Sequence, residues 1–273
     1  MATLLVLSLL LIAGAIVGAM AMVLRTPKEG RARLDFARLA AQTFKAIGAA
    51  PLLFMGVVLA TSAAPVTLVQ VAATISGVAS LIDIGPTLAA LAAASLIMVA
   101  IQQLGHMVLV QATLDALDDR AIRPRLILAR VLPLLPRGIA LAILWWIAIV
   151  IGLSFFFVPG IILCCLWFVP SAVLVAERTG IFTAFARSAA LTAGVRWHIF
   201  LLLCIGLVFW LVVQSMIGGI AALADGATAS TIVYAALSAL LGTIPPALVA
   251  ATYHSLRTQK EGLGSDALEQ VFA

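Results

Sequence analysis

Apolar positions in this chain form long unbroken runs, not the strict alternation of a strand or the one-sided stripe of a soluble helix. No Asp, Glu, Lys or Arg occurs in 2–24, 46–82, 84–114, 138–176, 197–224 or 226–256. A helix crosses the hydrocarbon layer with about 20 apolar residues. Runs 2–24, 84–114, 197–224 and 226–256 each suit one crossing, and 138–176 is long enough for two. Near its middle, Val158-Pro159-Gly160 reads as a tight hairpin turn, since Pro-Gly interrupts regular structure. Run 46–82 reads as one pass followed by an outer amphipathic segment, divided near Pro65, or as two short passes. The charge pattern favours one. The expectation is an all-α polytopic transmembrane bundle of about seven spans, near 3–24, 50–72, 87–112, 138–158, 160–176, 198–222 and 230–254.

Charge then orients the bundle. All 16 basic residues fall in four segments between spans. The first holds Arg25, Lys28, Arg31, Arg33, Arg38 and Lys45, and the second Arg120, Arg123, Arg125, Arg130 and Arg137. The third holds Arg178, Arg187 and Arg196, and the last Arg257 and Lys260. The alternate segments carry only Asp83 and Asp225. Taking one cation through a bilayer centre costs about 2.5–3.5 kcal/mol on insertion scales. The basic segments are therefore expected on the cytoplasmic side, with the N-terminus outside and the C-terminus inside.

Residues 1–24 read as a retained anchor helix. Ala19-Met20-Ala21 resembles a signal-peptide cleavage site, but no Lys or Arg precedes the run, as a signal peptide requires. Gly14 and Gly18 form a G-x-x-x-G step that permits close helix packing. Residues 33–262 form a six-span domain and 263–273 a short cytoplasmic tail.

The domain contains a repeat. Phe36-Ala37-Arg38-Leu39-Ala40-Ala41-Gln42-Thr43 matches Phe185-Ala186-Arg187-Ser188-Ala189-Ala190-Leu191-Thr192 at six of eight positions, and Leu128-Ala129-Arg130-Val131-Leu132 is a weaker third copy. Each precedes a pair of apolar spans. In the first copy Phe36, Leu39, Ala40, Phe44 and Ile47 share one helical face, and Asp35, Arg38, Gln42 and Lys45 the other. Such helices are expected along the membrane surface, their cations among headgroups. The predicted plan is three units of surface helix plus hairpin, after one anchor.

Composition agrees with lipid as the solvent. The chain is 64% hydrophobic and only 10% charged, with mean hydropathy +1.22, whereas soluble domains are about a quarter charged. A net charge of +5 beside apolar runs points to anionic phospholipid headgroups, not nucleic acid. Cys164, Cys165 and Cys204 lie inside apolar runs, with no disulfide or metal spacing.

No nucleotide-binding, metalloprotease or nucleophile-elbow motif occurs. His106, His198 and His254 lack ligand partners at metal spacing. Asp118 and Asp119 are adjacent, so on a helix they diverge by about 100° and do not converge as an acid–base pair. With Asp115 they suit a hydrated helix end. Polar residues inside apolar runs are the better clue. Gln102, Gln103, His106 and Gln111 lie in the third span, where Gln102, His106 and Thr113 share a face, and Gln214 lies in a later one. They read as a polar intramembrane pocket, or as interhelical hydrogen bonds worth roughly 0.6 kcal/mol each. Pro170 interrupts its span, which either opens a carbonyl to a ligand or kinks the helix with neighbours compensating. Trp197 and His198 suit interfacial anchoring, Trp145 and Trp146 packing.

Residues 158–197 carry a recognisable set: Pro159, Gly160, Pro170, Glu177, Gly180, Ala184, Arg187, Ser188, Leu191, Thr192, Gly194 and Trp197. Together with Tyr253-His254-Ser255-Leu256-Arg257 and Lys260-Glu261-Gly262, this resembles the membrane domain attached to some bacterial glycerophosphoryl diester phosphodiesterases, and the stand-alone YciC-like membrane proteins. The resemblance covers about residues 33–262 and implies a non-catalytic inner-membrane domain without cofactor. The leading expectation is a protein engaging lipid headgroups, or a membrane partner, through Arg38, Arg130, Arg187, Arg196 and Trp197. Alternatives are a small-molecule permease using Gln102, His106 and Gln214, and a regulatory or assembly subunit or homo-oligomer packing through Gly14 and Gly18.

Overall fold

The computed structural model describes residues 34–63, 65, 84–154, 157–224 and 226–261. Regular structure among them is entirely helical. Asp35 caps α1 (Phe36–Ala49), its carboxylate accepting from the Ala37 and Arg38 N–H groups at 3.0 and 3.2 Å. Pro51 starts α2 (Pro51–Val58), where its missing N–H costs nothing. The chain turns by 89° between these helices, as expected where a surface helix feeds a span. A π-turn, Leu59–Ala63, follows.

Helix α3 (Ile84–Leu117) has 34 residues. At about 1.5 Å per residue it is roughly 50 Å long, more than the hydrocarbon needs. Helix α4 (Pro124–Val131) runs through a 3₁₀ turn, Leu132–Leu134, into α5 (Leu135–Ser154). Then come α6 (Phe157–Leu166), α7 (Pro170–Glu177), α8 (Ile181–Thr192), α9 (Arg196–Ala221), α10 (Ala227–Gly242) and α11 (Ile244–Glu261). Among the described residues, five helical stretches are long and apolar enough to cross a membrane, or six if α1 and α2 form one broken span. Their exposed apolar surface marks a membrane protein: in α9 only 11% of the most apolar window is buried. Among the described residues the expected count of seven is not confirmed. The predicted span 3–24, with Gly14 and Gly18, and the stretch 66–83 lie outside the described residues.

Three expectations shift. Pro159-Gly160 lies inside helix α6, not at the expected hairpin turn, since α5 ends at Ser154 and α6 begins at Phe157. Pro159 sits in the first turn of α6, where a proline replaces no helical hydrogen bond. Gly160 instead permits a close crossing: a Cβ on Gly152 would lie 2.9 Å from the Gly160 Cα. The third repeat copy is no separate surface helix, since Pro124–Ser154 forms one continuous 31-residue stretch. In α1 the buried face is Leu39, Thr43 and Ala46, packed on α11 and α3, while Phe44 is 63% exposed. Packing on the bundle decides the face, rotating it from the apolar stripe.

The core lies where α7 is enclosed by α3, α5, α8 and α11. Every residue from Pro170 to Val175 is buried. The span broken at Pro170 frees backbone groups there, and side chains answer several of them. Ser188 Oγ donates to the Leu166 carbonyl at 3.0 Å and accepts from the Val169 N–H at 3.3 Å. The Thr192 hydroxyl reaches the same carbonyl at 3.2 Å, and Trp145 Nε1 donates to the Trp167 carbonyl at 2.9 Å. Gly194, at φ +88°, then makes the left-handed turn from α8 into α9.

Ser188→Ala removes both of that hydroxyl's contacts at a fully buried site. It is expected to cost about 1–3 kcal/mol. Ser154→Ala, which removes a hydrogen bond within one exposed helix, should stay within about 0.5 kcal/mol. Unfolding in detergent micelles measures both, and equal effects contradict the assignment.

Candidate functional site: an arginine-lined cavity

Four helix ends meet around a cavity of about 400 Å³. The end of α3 contributes Gln111, Asp118 and, just beyond it, Arg120. Arg130 comes from α4, Arg178 from the residue after α7, and Tyr253, His254 and Arg257 from α11. Two chain reversals shape the rim. Asp119 (φ 52°) and Arg178 (φ 51°) both take the left-handed conformation that terminates helices α3 and α7.

Four guanidinium groups and one carboxylate, Asp118, line the space. Asp118 lies 3.4 Å from Arg120 and 3.4 Å from His254 Nε2. Behind the wall, Asp115 is 2% exposed and accepts from Gln111 at 3.0 Å, with Arg130 at 3.7 Å. Arg178 has no carboxylate within 4 Å among the described residues. The cavity thus has an excess of positive charge. Guanidinium forks have the geometry to pair with phosphate oxygens.

A second charged cluster adjoins it and shares Arg257 with it. Glu177 accepts from Tyr253 Oη at 2.9 Å and from Arg187 Nε at 3.3 Å. Arg187 also pairs with Glu261, which Arg257 reaches at 2.9 Å. Lys260 donates to the Ala190 and Ala193 carbonyls at 2.7 and 2.8 Å, capping the end of α8. Lys260 lies beyond the apolar run 226–256.

The four arginines singled out from sequence therefore separate. Arg130 lines the cavity, Arg187 bridges two carboxylates, and Arg196 reaches the Ala189 carbonyl at 3.5 Å. Arg38 is exposed on α1, and Trp197 stands edge-on to Phe200 at 5.8 Å. Arg120, Arg178 and Arg257 were visible only as members of basic segments. Their one local signal is position, each within a few residues of an acidic helix end. Pro170, Ser188, Thr192 and Gly194 serve the broken span, and Glu177 with Arg187 the ion pairs.

The intramembrane polar residues also divide. Gln102 and His106 line one cavity, and His106 Nε2 lies 3.1 Å from Ser171 Oγ. Gln214 is apart, bonded to Tyr234 at 3.1 Å and Ser238 at 3.3 Å, which joins α9 to α10. Thr113 donates to the Leu109 carbonyl within α3. No group of three or more His, Cys, Asp or Glu among the described residues is placed to hold a metal. No family model, curated protein or solved structure matches the chain.

Arg130→Gln should cost about 2 kcal/mol, because it leaves the Asp115 carboxylate buried beside no cation. Adding Asp115→Asn should restore most of that loss. A double variant no more stable than Arg130→Gln alone would show that the pair is not coupled.

Proposed function: a membrane protein that binds anionic headgroups

We propose that this chain is a non-catalytic integral membrane protein that binds the phosphate headgroup of an anionic lipid in the arginine-lined cavity. The supporting observation is the convergence of Arg120, Arg130, Arg178 and Arg257, from four separate segments, on one space of about 400 Å³. Basic residues beside a membrane attract anionic lipid, each contributing about 1 kcal/mol. The proposed orientation puts this end in the cytoplasm and the N-terminus outside, in a bacterial inner membrane. Its support is the single-sided placement of all 16 Lys and Arg. The resemblance to the phosphodiesterase-associated membrane domain agrees with this reading but brings no catalytic residues.

Lipid binding is measured by native mass spectrometry in mild detergent, with phosphatidic acid against phosphatidylcholine. The double variant Arg120→Gln/Arg178→Gln spares the Asp115 pair. It should lose about 2 kcal/mol of phosphatidic acid affinity, roughly thirtyfold. Arg38→Gln, outside the cavity, should change it less than about threefold. Equal losses in the two variants, or no preference for the anionic lipid, reject the cavity as the site.

Orientation has its own test. A cysteine introduced at Arg125, an exposed position on α4, should react with a membrane-impermeant maleimide only after the cells are permeabilised. Reaction in intact cells would invert the topology.

A further inference from the structure

A second site lies deeper in the bundle. Gln102, Gln103 and His106 on α3 face a cavity of about 800 Å³ whose walls include Trp146 of α5 and Trp210 of α9. A neighbouring space of about 360 Å³ continues from it, sharing Gln103, His106 and Ala142. Cavities of roughly 300–1,000 Å³ suit small-molecule ligands.

Two features limit what fits. The glutamine amides have no hydrogen-bond partner among the described residues, whereas His106 is held by Ser171 at 3.1 Å. Each amide offers two donors and an acceptor, and leaving them unanswered at membrane depth is costly. Secondly, no Asp, Glu, Lys or Arg among the described residues lines either space. A charged ligand would have no countercharge there. Trp146 is 62% exposed and Trp210 38%, so the walls between them are accessible from the flank of two apolar helices.

We infer that this cavity binds a neutral amphiphile, its hydroxyl or ester head hydrogen-bonded by Gln102 and Gln103 and its apolar chain lying along Trp146 and Trp210. The site is separate from the arginine cavity and its ligand differs in charge.

The test is photolabelling of the full chain in lipid nanodiscs with a diazirine-bearing monoacylglycerol, the labelled residues being mapped by mass spectrometry. A diazirine phosphatidic acid is run in parallel. The neutral probe should label α5 and α9 near Trp146 and Trp210, saturably and in competition with unlabelled monoacylglycerol. Losing two hydrogen-bonding amides in Gln102→Leu/Gln103→Leu should weaken capture about tenfold. Ala142→Phe, which fills the space without touching the amides, should weaken it as well. Neither variant should alter phosphatidic acid capture at the arginine cavity, so failure of one site is distinguishable from failure of the other. Unsaturable labelling would mean ordinary bilayer lipid in a groove, and would overturn the inference. Labelling unchanged in both variants, or confined to other helices, would overturn it too.

Discussion

The bundle depends on how it repairs one broken span. Between Leu166 and Pro170 the helix stops inside an apolar segment, freeing backbone groups where water is scarce. An unsatisfied carbonyl or N–H in that setting costs several kcal/mol. Ser188, Thr192 and Trp145 answer the Leu166 and Trp167 carbonyls and the Val169 N–H from α8 and α5. The repair has a structural consequence. It holds α8 against the break, so α7 becomes enclosed on every side. The charged end of α7, Glu177 and Arg178, is then delivered to the same place as the ends of α3 and α11.

Charge confinement follows from the same economy. Lys45 reaches Asp119, Arg130 faces Asp115, Arg187 bridges Glu177 and Glu261, and His254 meets Asp118. These contacts join every basic segment that is described, so the cations share one end of the bundle. Most of the pairs are half exposed, and such pairs contribute little individually. Their larger effect is on geometry. Asp115, buried at 2%, needs Arg130 and Gln111, and that need fixes α4 across the end of α3. The cations left in excess around that junction give the cavity its sign.

Much of the helical architecture could be read from the runs of uncharged residues, because a membrane selects on length and hydropathy, both local properties. The positions of turns were less readable. Pro159-Gly160 carries a strong turn signal, yet proline in a first helical turn and glycine at a close crossing are equally good uses of that pair. The buried face of α1 also differed. Its apolar stripe included Phe44, but α11 and α3 accept the smaller Leu39, Thr43 and Ala46. The arginine cavity was least readable. Arg120, Arg130, Arg178 and Arg257 are spread over 138 positions of the chain. Only the tertiary meeting of α3, α4, α7 and α11 brings them together, and no local pattern encodes that meeting.

Helix α3 shows why two different cavities coexist in one small bundle. It is long enough to pass through the hydrocarbon and emerge, so its side chains sample two solvents. Toward its end it carries Asp115 and Asp118 within reach of arginines, since charges there are paired and close to water. About one turn deeper than Asp115 it carries Gln111, and roughly two and a half to three and a half turns deeper His106, Gln103 and Gln102, neutral groups that lipid tolerates. The polar residues along this helix thus grade from charged to uncharged with depth. The cavity at the charged end is lined by guanidinium groups, while the deeper one is lined by amides and indole rings. Position along α3 therefore sets the chemistry each cavity presents.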